Sequence, residues 1–298
     1  MTRFRNIWCL FLVAALLALP GAAGAEMYVE GYLGGVQGAN AGMSPAWSGT
    51  RVFSGGEAYV TSGSLNVPGR FDPAVIGGLK IGTWFVKEGF LGYQYPDWMK
   101  YLGFYIDFSF HRLNFRRQLA DTRLHFVETF LDNSSIVGDR SGQSTFWSEG
   151  YAPTLAFMFA ARYGFLQDSV APFGRLQPYL AVGPGILFAS QQPTINFRGT
   201  GTDNYFDSDG NPIATLPASS SFTRTLTSKS EAAICLAVDA GLRYMALKNV
   251  SIDLFFKYRF AQPSFTYNFQ GQIGEPATLK LTPTYHLLSG QVGVAYHF

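Results

Sequence analysis

The stretch Phe104–Arg112, FYIDFSFHR, decides how this chain is read. Phe104, Ile106, Phe108 and Phe110 occupy every second position, with Tyr105, Asp107, Ser109 and His111 between them. Successive side chains of an extended chain leave opposite faces, so one strand separates an apolar row from a polar one. Asp107, Ser109 and His111 are also the residue types of a hydrolytic triad. Residues two apart on a strand are spaced by about 6.6–6.8 Å, whereas a nucleophile–base hydrogen bond needs about 2.6–3.2 Å. Ser109 has no helix N-terminus or glycine nest beside it to supply an oxyanion hole. The row therefore reads as the polar lining of an interior, and no catalytic residue is assigned.

The alternation recurs along the chain in eight segments, at about 27–37, 72–86, 98–115, 149–163, 176–189, 231–245, 250–260 and 284–298. Within them, nearly every charge falls opposite the large apolar residues. The fifth is the least regular, because Pro178 and Pro184 conflict with a central strand. Long links at about 38–71, 116–148, 190–230 and 261–283 alternate with shorter ones at about 87–97, 164–175 and 246–249. The long links are rich in Gly, Ser, Thr, Asn and Asp, a composition expected of mobile surface loops. One of them contains RLHFVETFL, residues 123–131, a candidate for a further strand.

Composition says where such strands belong. Charged residues are only 14% of the chain against 16% aromatic, where a soluble domain carries about 25% charged. No segment after the first has the 18 or more continuous apolar residues of a membrane helix. The expectation is all-β: a transmembrane antiparallel up-and-down barrel of eight strands, with ten as the alternative. Short turns and long loops on opposite rims match outer-membrane barrels, with both termini at the periplasmic rim.

Residues 1–25 read as a signal peptide, with basic Arg3 and Arg5, an apolar run from Ile7, and Ala23-Gly24-Ala25 as a cleavage site. Residues 26–298 form the barrel domain. Cleavage removes two of 22 basic residues, leaving 20 against 20 acidic ones. That balance favours no nucleic-acid partner. Cys235 alone survives cleavage, which excludes an internal disulfide and a cysteine-based metal cluster.

Nine charges fall on the inward face: Glu30, Asp107, Asp239 and Asp253 with Lys80, Arg162, Arg243, Lys257 and Arg259. An eight-stranded barrel is just wide enough for side chains to fill it, so these ions must pair there. Glu30 and Lys80 lie on sequential strands and are candidate neighbours. The network is expected to close the lumen; its rearrangement into a thin pore is the alternative. Neither metal nor cofactor is expected. His286 and Ser289 fall on opposite faces, and His125 and His297 stand alone. Asp207-Ser-Asp-Gly-Asn is a fragment of a calcium loop without its distal glutamate, or a hairpin tip. Outward Phe85, Tyr163, Tyr244, Tyr296 and Phe298 suggest an interfacial girdle.

The pieces YVEGYLGG, GGLKIGTWF, YLGFYIDFSFH, QPYLAVGPG, DAGLRYMAL, IDLFFKYRF and the terminal SGQVGVAYHF resemble the small outer-membrane barrels of the OmpA-transmembrane-domain, OmpX and opacity-protein type. The resemblance implies a bacterial outer-membrane location. It also implies that Tyr296 and Phe298 are the signal read by the barrel-assembly machinery. Expected partners are outer-membrane lipid, lipopolysaccharide, that machinery and surface ligands of the loops, around a monomer. The expected role is structural or adhesion-like and not enzymatic. A narrow channel for small or apolar solutes and a lipid hydrolase are the alternatives, since family functions are diverse.

Overall fold

The computed structural model describes residues 26–86, 95–169 and 171–298. The expected signal peptide and residues 87–94 of the first short link lie outside the described residues. β1 (Glu26–Gly38) leads to a hairpin, β2 (Ala46–Val52) and β3 (Ala58–Asn66), and β4 (Ala74–Trp84) returns. A 3-10 turn, Asp97–Tyr101, precedes β5 (Leu102–His111). The hairpin of β6 (Phe115–Thr129) and β7 (Ser135–Tyr151) then leads to β8 (Thr154–Arg162). β9 (Leu176–Phe206) runs for 31 residues before β10 (Pro212–Thr225) turns back and β11 (Lys229–Leu247) continues downward. β12 (Val250–Ala261), the hairpin β13 (Phe265–Gln270) and β14 (Pro276–Leu281), and β15 (Tyr285–His297) complete the chain.

Eight of these close into an antiparallel barrel. The order is β1, β4, β5, β8, β9, β11, β12 and β15, and β15 pairs back onto β1 with Tyr28 opposite His297. They are the eight segments read from the alternation. The RLHFVETFL candidate falls largely in β6, outside the barrel.

On the outer wall the apolar rows stand exposed, among them Leu33, Val75, Phe108, Phe159, Val182, Leu236, Leu254 and Val292. Only a bilayer accepts such a belt around a closed barrel whose strands pair side by side all the way round, the outer-membrane solution. Tyr163, Tyr244, Tyr296 and Phe298 are also exposed, while Phe85 is half-buried. Pro184 faces outward within β9, and the register with β8 is interrupted there, between Ala156↔Gly185 and Phe159↔Val182. A proline lacks the N–H that this rung of the ladder would use.

The long links correct the expectation of mobile loops. Each rises as a hairpin, and neighbouring hairpins pair edge to edge. Above the barrel, β9 exchanges its neighbours for β10 and β7, and the sheet continues through β6, β3, β2, β14 and β13. The result is a β-crown standing on one rim. Its free edges, β10 and β13, are bridged where Arg224 donates to the carbonyls of Gln270 and Gly271. Inward the links carry Leu65, Phe146, Phe197 and Leu279, all buried beside polar groups such as Thr122 and Ser144, which gives the crown its own core.

Inward glycines make the narrow tube possible. A β-carbon on Gly78 would collide with Tyr32 Oη and the Phe108 carbonyl, and one on Gly103 would enter the Trp84 ring. Each glycine is covered by an aromatic ring from the neighbouring strand, as designed sheets also use.

Candidate functional site

The lumen is the densest concentration of chemistry in the molecule. The alternation turns Glu30, Lys80 and Asp107 inward from β1, β4 and β5, and the register sets Glu30 opposite Lys80 and Lys80 opposite Asp107. The side chains then choose their partners across the lumen.

Near the rim that carries the termini, Arg162 forks onto both carboxylate oxygens of Glu26 and lies over the Trp84 ring at 4.2 Å. Above this, Arg243 binds Asp253 at 2.7 Å and Glu30 at 3.3 Å, while Lys80 approaches Glu30 at 3.0 Å. The Lys80 ammonium also sits 3.3 Å from the Phe255 ring centroid. Higher still, Asp107 takes Lys257 and Arg259, each at 2.7 Å, and Arg259 reaches on to Asp239 at 2.7 Å. Tyr32 and Tyr105 donate their hydroxyls to Asp107 and Asp239, at 2.7 and 2.8 Å.

All nine inward charges read from the sequence are buried inside the barrel. The structure adds Glu26, which no pattern singled out because it begins the first strand, and the tyrosines that complete the carboxylate shells. The tyrosines were legible in parity: Tyr28 and Tyr32 share the face of Glu30, and Tyr105 that of Asp107.

Above the ionic layers the filling changes character. Phe71, Phe115, Phe146, Tyr285 and Leu287 form one buried apolar cluster that continues into the crown. Phe71 and Phe115 pack with ring centroids 4.4 Å apart. The tube is thus stoppered twice, by paired ions below and by hydrocarbon above.

Asp107, Ser109 and His111 do not assemble into a relay. Asp107 is taken by the cations and Tyr32, and neither ring nitrogen of His111 has a hydrogen-bond partner among the described residues. Of the remaining histidines, His125 meets Asp139 at 2.8 Å on the exposed crown face and His286 meets Tyr258 at 2.8 Å. His297 stacks on Tyr28 and contacts Ser251 at 3.1 Å.

The calcium-loop fragment is the tip between β9 and β10. Asp207 accepts the backbone N–H groups of Asn211 and Asp209 at 2.7 and 3.0 Å, and Gly210 adopts a φ of 82°. The Asn211 backbone and side chain hold the Asp207 carboxyl below its ordinary range. Among the described residues no group of three or more acidic, histidine or cysteine side chains could hold a metal ion.

No family model and no curated protein matches this chain. Solved structures with the same architecture include Neisserial surface protein A, at 11% identity and a TM-score of 0.35, with 92% of this chain aligned to 99% of that one. OprG from Pseudomonas aeruginosa shows 10% identity and a TM-score of 0.37, over 92% of this chain and 97% of its own. Ail, the attachment invasion locus protein of Yersinia pestis, solved with the heparin analogue sucrose octasulfate, shows 12% identity and a TM-score of 0.25, over 92% and 99%. These likenesses concern fold alone.

Proposed function

We propose that this chain is a closed, non-conducting outer-membrane barrel whose work is done by the crown, a rigid platform for interactions at the cell surface. The observation that carries this reading is the double filling of the lumen: ion pairs below, and an apolar core shared by barrel and crown above. A solute path would have to break buried ion pairs, at about 3–5 kcal/mol each, and then cross a packed hydrocarbon layer. Supporting a non-enzymatic role, Ser109 and His111 are sealed inside the barrel, away from any lipid substrate.

The reading includes export through residues 1–25, a monomeric barrel surrounded by lipid and lipopolysaccharide, and recognition by the assembly machinery. Tyr296 and Phe298 pack edge to face, ring centroids 5.1 Å apart, on the outer wall, where such a handle is accessible.

Two measurements test the proposal. Folded protein in a planar bilayer should give no discrete conductance steps, and steps of reproducible size would overturn the closed lumen. An epitope inserted at Asp209, in the β9–β10 tip, should bind antibody on intact cells. Binding only after lysis would overturn the surface platform.

A further inference from the structure

The ladder between β4 and β5 climbs to Ile76↔His111 and stops. The chains next meet where the Asp72 N–H donates to the Asn114 carbonyl at 3.0 Å. Between these points the wall parts around a cavity of about 480 Å3 on its outer side.

Its two lips differ in chemistry. The lower one is Val75 and Phe110, 69% and 49% exposed and continuous with the lipid-facing belt. The upper one is Asp72, Arg112 and Asn114. The exposed Arg112 guanidinium has no hydrogen-bond or ion-pair partner among the described residues. Asn114 Oδ1 is occupied by the Gly150 N–H at 2.9 Å, which leaves the side-chain NH2 as a donor. Asp72 is partly neutralised by Arg116 at 3.7 Å. Arg70 lies in the link between β3 and β4 and Arg117 on β6, so four arginines outnumber Asp72 and Glu149 around this part of the rim.

We infer that the cleft seats a phosphorylated lipid of the outer leaflet, with an acyl chain along Val75 and Phe110 and its phosphate on Arg112. A guanidinium fork matches phosphate oxygens, and the site lies where the apolar belt gives way to water. The apolar lip argues for a lipid over a free anion, which would gain nothing from it. The inference rests on the reading of the chain as a membrane-spanning barrel.

The test is native mass spectrometry of the folded protein in detergent, with dioleoylphosphatidic acid against dioleoylglycerol, which has the same chains and no phosphate. The phosphorylated lipid should be retained roughly tenfold better, the size of one charge-assisted contact. Arg112→Gln should bring the two lipids level. Arg198→Gln, on the crown's outer face, should change nothing. Undiminished retention by Arg112→Gln, an equal loss in Arg198→Gln, or full displacement by millimolar inorganic phosphate would each overturn the site. The shift in gel mobility on boiling, run on every sample, reports the barrel separately. Its absence in the unsubstituted protein would overturn the barrel reading itself.

Discussion

Asp107 holds the ammonium of Lys257 with both carboxylate oxygens, at 2.7 Å each, although the two residues belong to strands that do not pair. The same carboxylate also accepts from Arg259 and Tyr32. It is the junction of the upper ionic layer, and its loss strands the buried Lys257 and leaves Arg259 with Asp239 alone. Asp107→Ala should lower unfolding stability in urea by about 3–5 kcal/mol. Adding Lys257→Met to Asp107→Leu should recover part of the loss, because a neutral pair of similar bulk removes one stranded charge. Unchanged stability for Asp107→Ala would mean that the network contributes nothing.

Gly78 and Gly35 offer a matched comparison. A methyl group on Gly78 meets Tyr32 Oη and the backbone of β5, whereas one on Gly35, on the lipid face, meets nothing within 4 Å. Gly78→Ala should cost about 1–3 kcal/mol through overpacking, and Gly35→Ala within about 0.5 kcal/mol of zero. Equal urea midpoints for the two variants would contradict the packed lumen.

Arg224 ties the outer part of the crown's seam, while Tyr267 donates to the Gln191 carbonyl at 3.1 Å further in. Arg224 reaches the carbonyls of Gln270 and Gly271 and lies 5.6 Å from the Phe269 ring. With Arg224→Ala, amide exchange should quicken across 265–271 while 250–261, in the barrel wall, stays as protected as before. Uniform exchange across both segments would show that something else closes the crown.

Acid should loosen the β9–β10 tip first. The Asp207 carboxyl is depressed in the folded protein by its hydrogen bonds from Asn211. A depressed carboxyl contributes stability that is complete above the unfolded value, about 3.9 for aspartate. That contribution is lost as pH falls from there through the folded value. Protection of the Asp209 and Asn211 amides, corrected for intrinsic exchange, should therefore decline below about pH 4. Asp207→Asn should abolish that pH dependence.

The eight barrel segments were legible because their pattern is local and unmixed. In β5 and β12 every second residue is large and apolar, so a single strand declares both of its faces. The links were misread because their inward residues, such as Phe146 and Phe197, are spaced among Gly, Ser and Thr that also compose loops. β3 pairs with β6, and β2 with β14, so each hairpin finds its neighbour in a different link. No window along one link contains that information.

The sequence alone determined which residues line the lumen and which face lipid, since a two-residue period is a property of the extended chain itself. It also set the nearly balanced inward charges. Only the tertiary structure decided which charge meets which. Asp239 stands opposite Lys257 in the β11–β12 register, yet Lys257 crosses the lumen to Asp107 and Arg259 takes Asp239. Closing the sheet brings strands remote in order within one side chain of each other, and strand tilt sets their relative heights. The partners of FYIDFSFHR are therefore settled across the barrel and not along the chain.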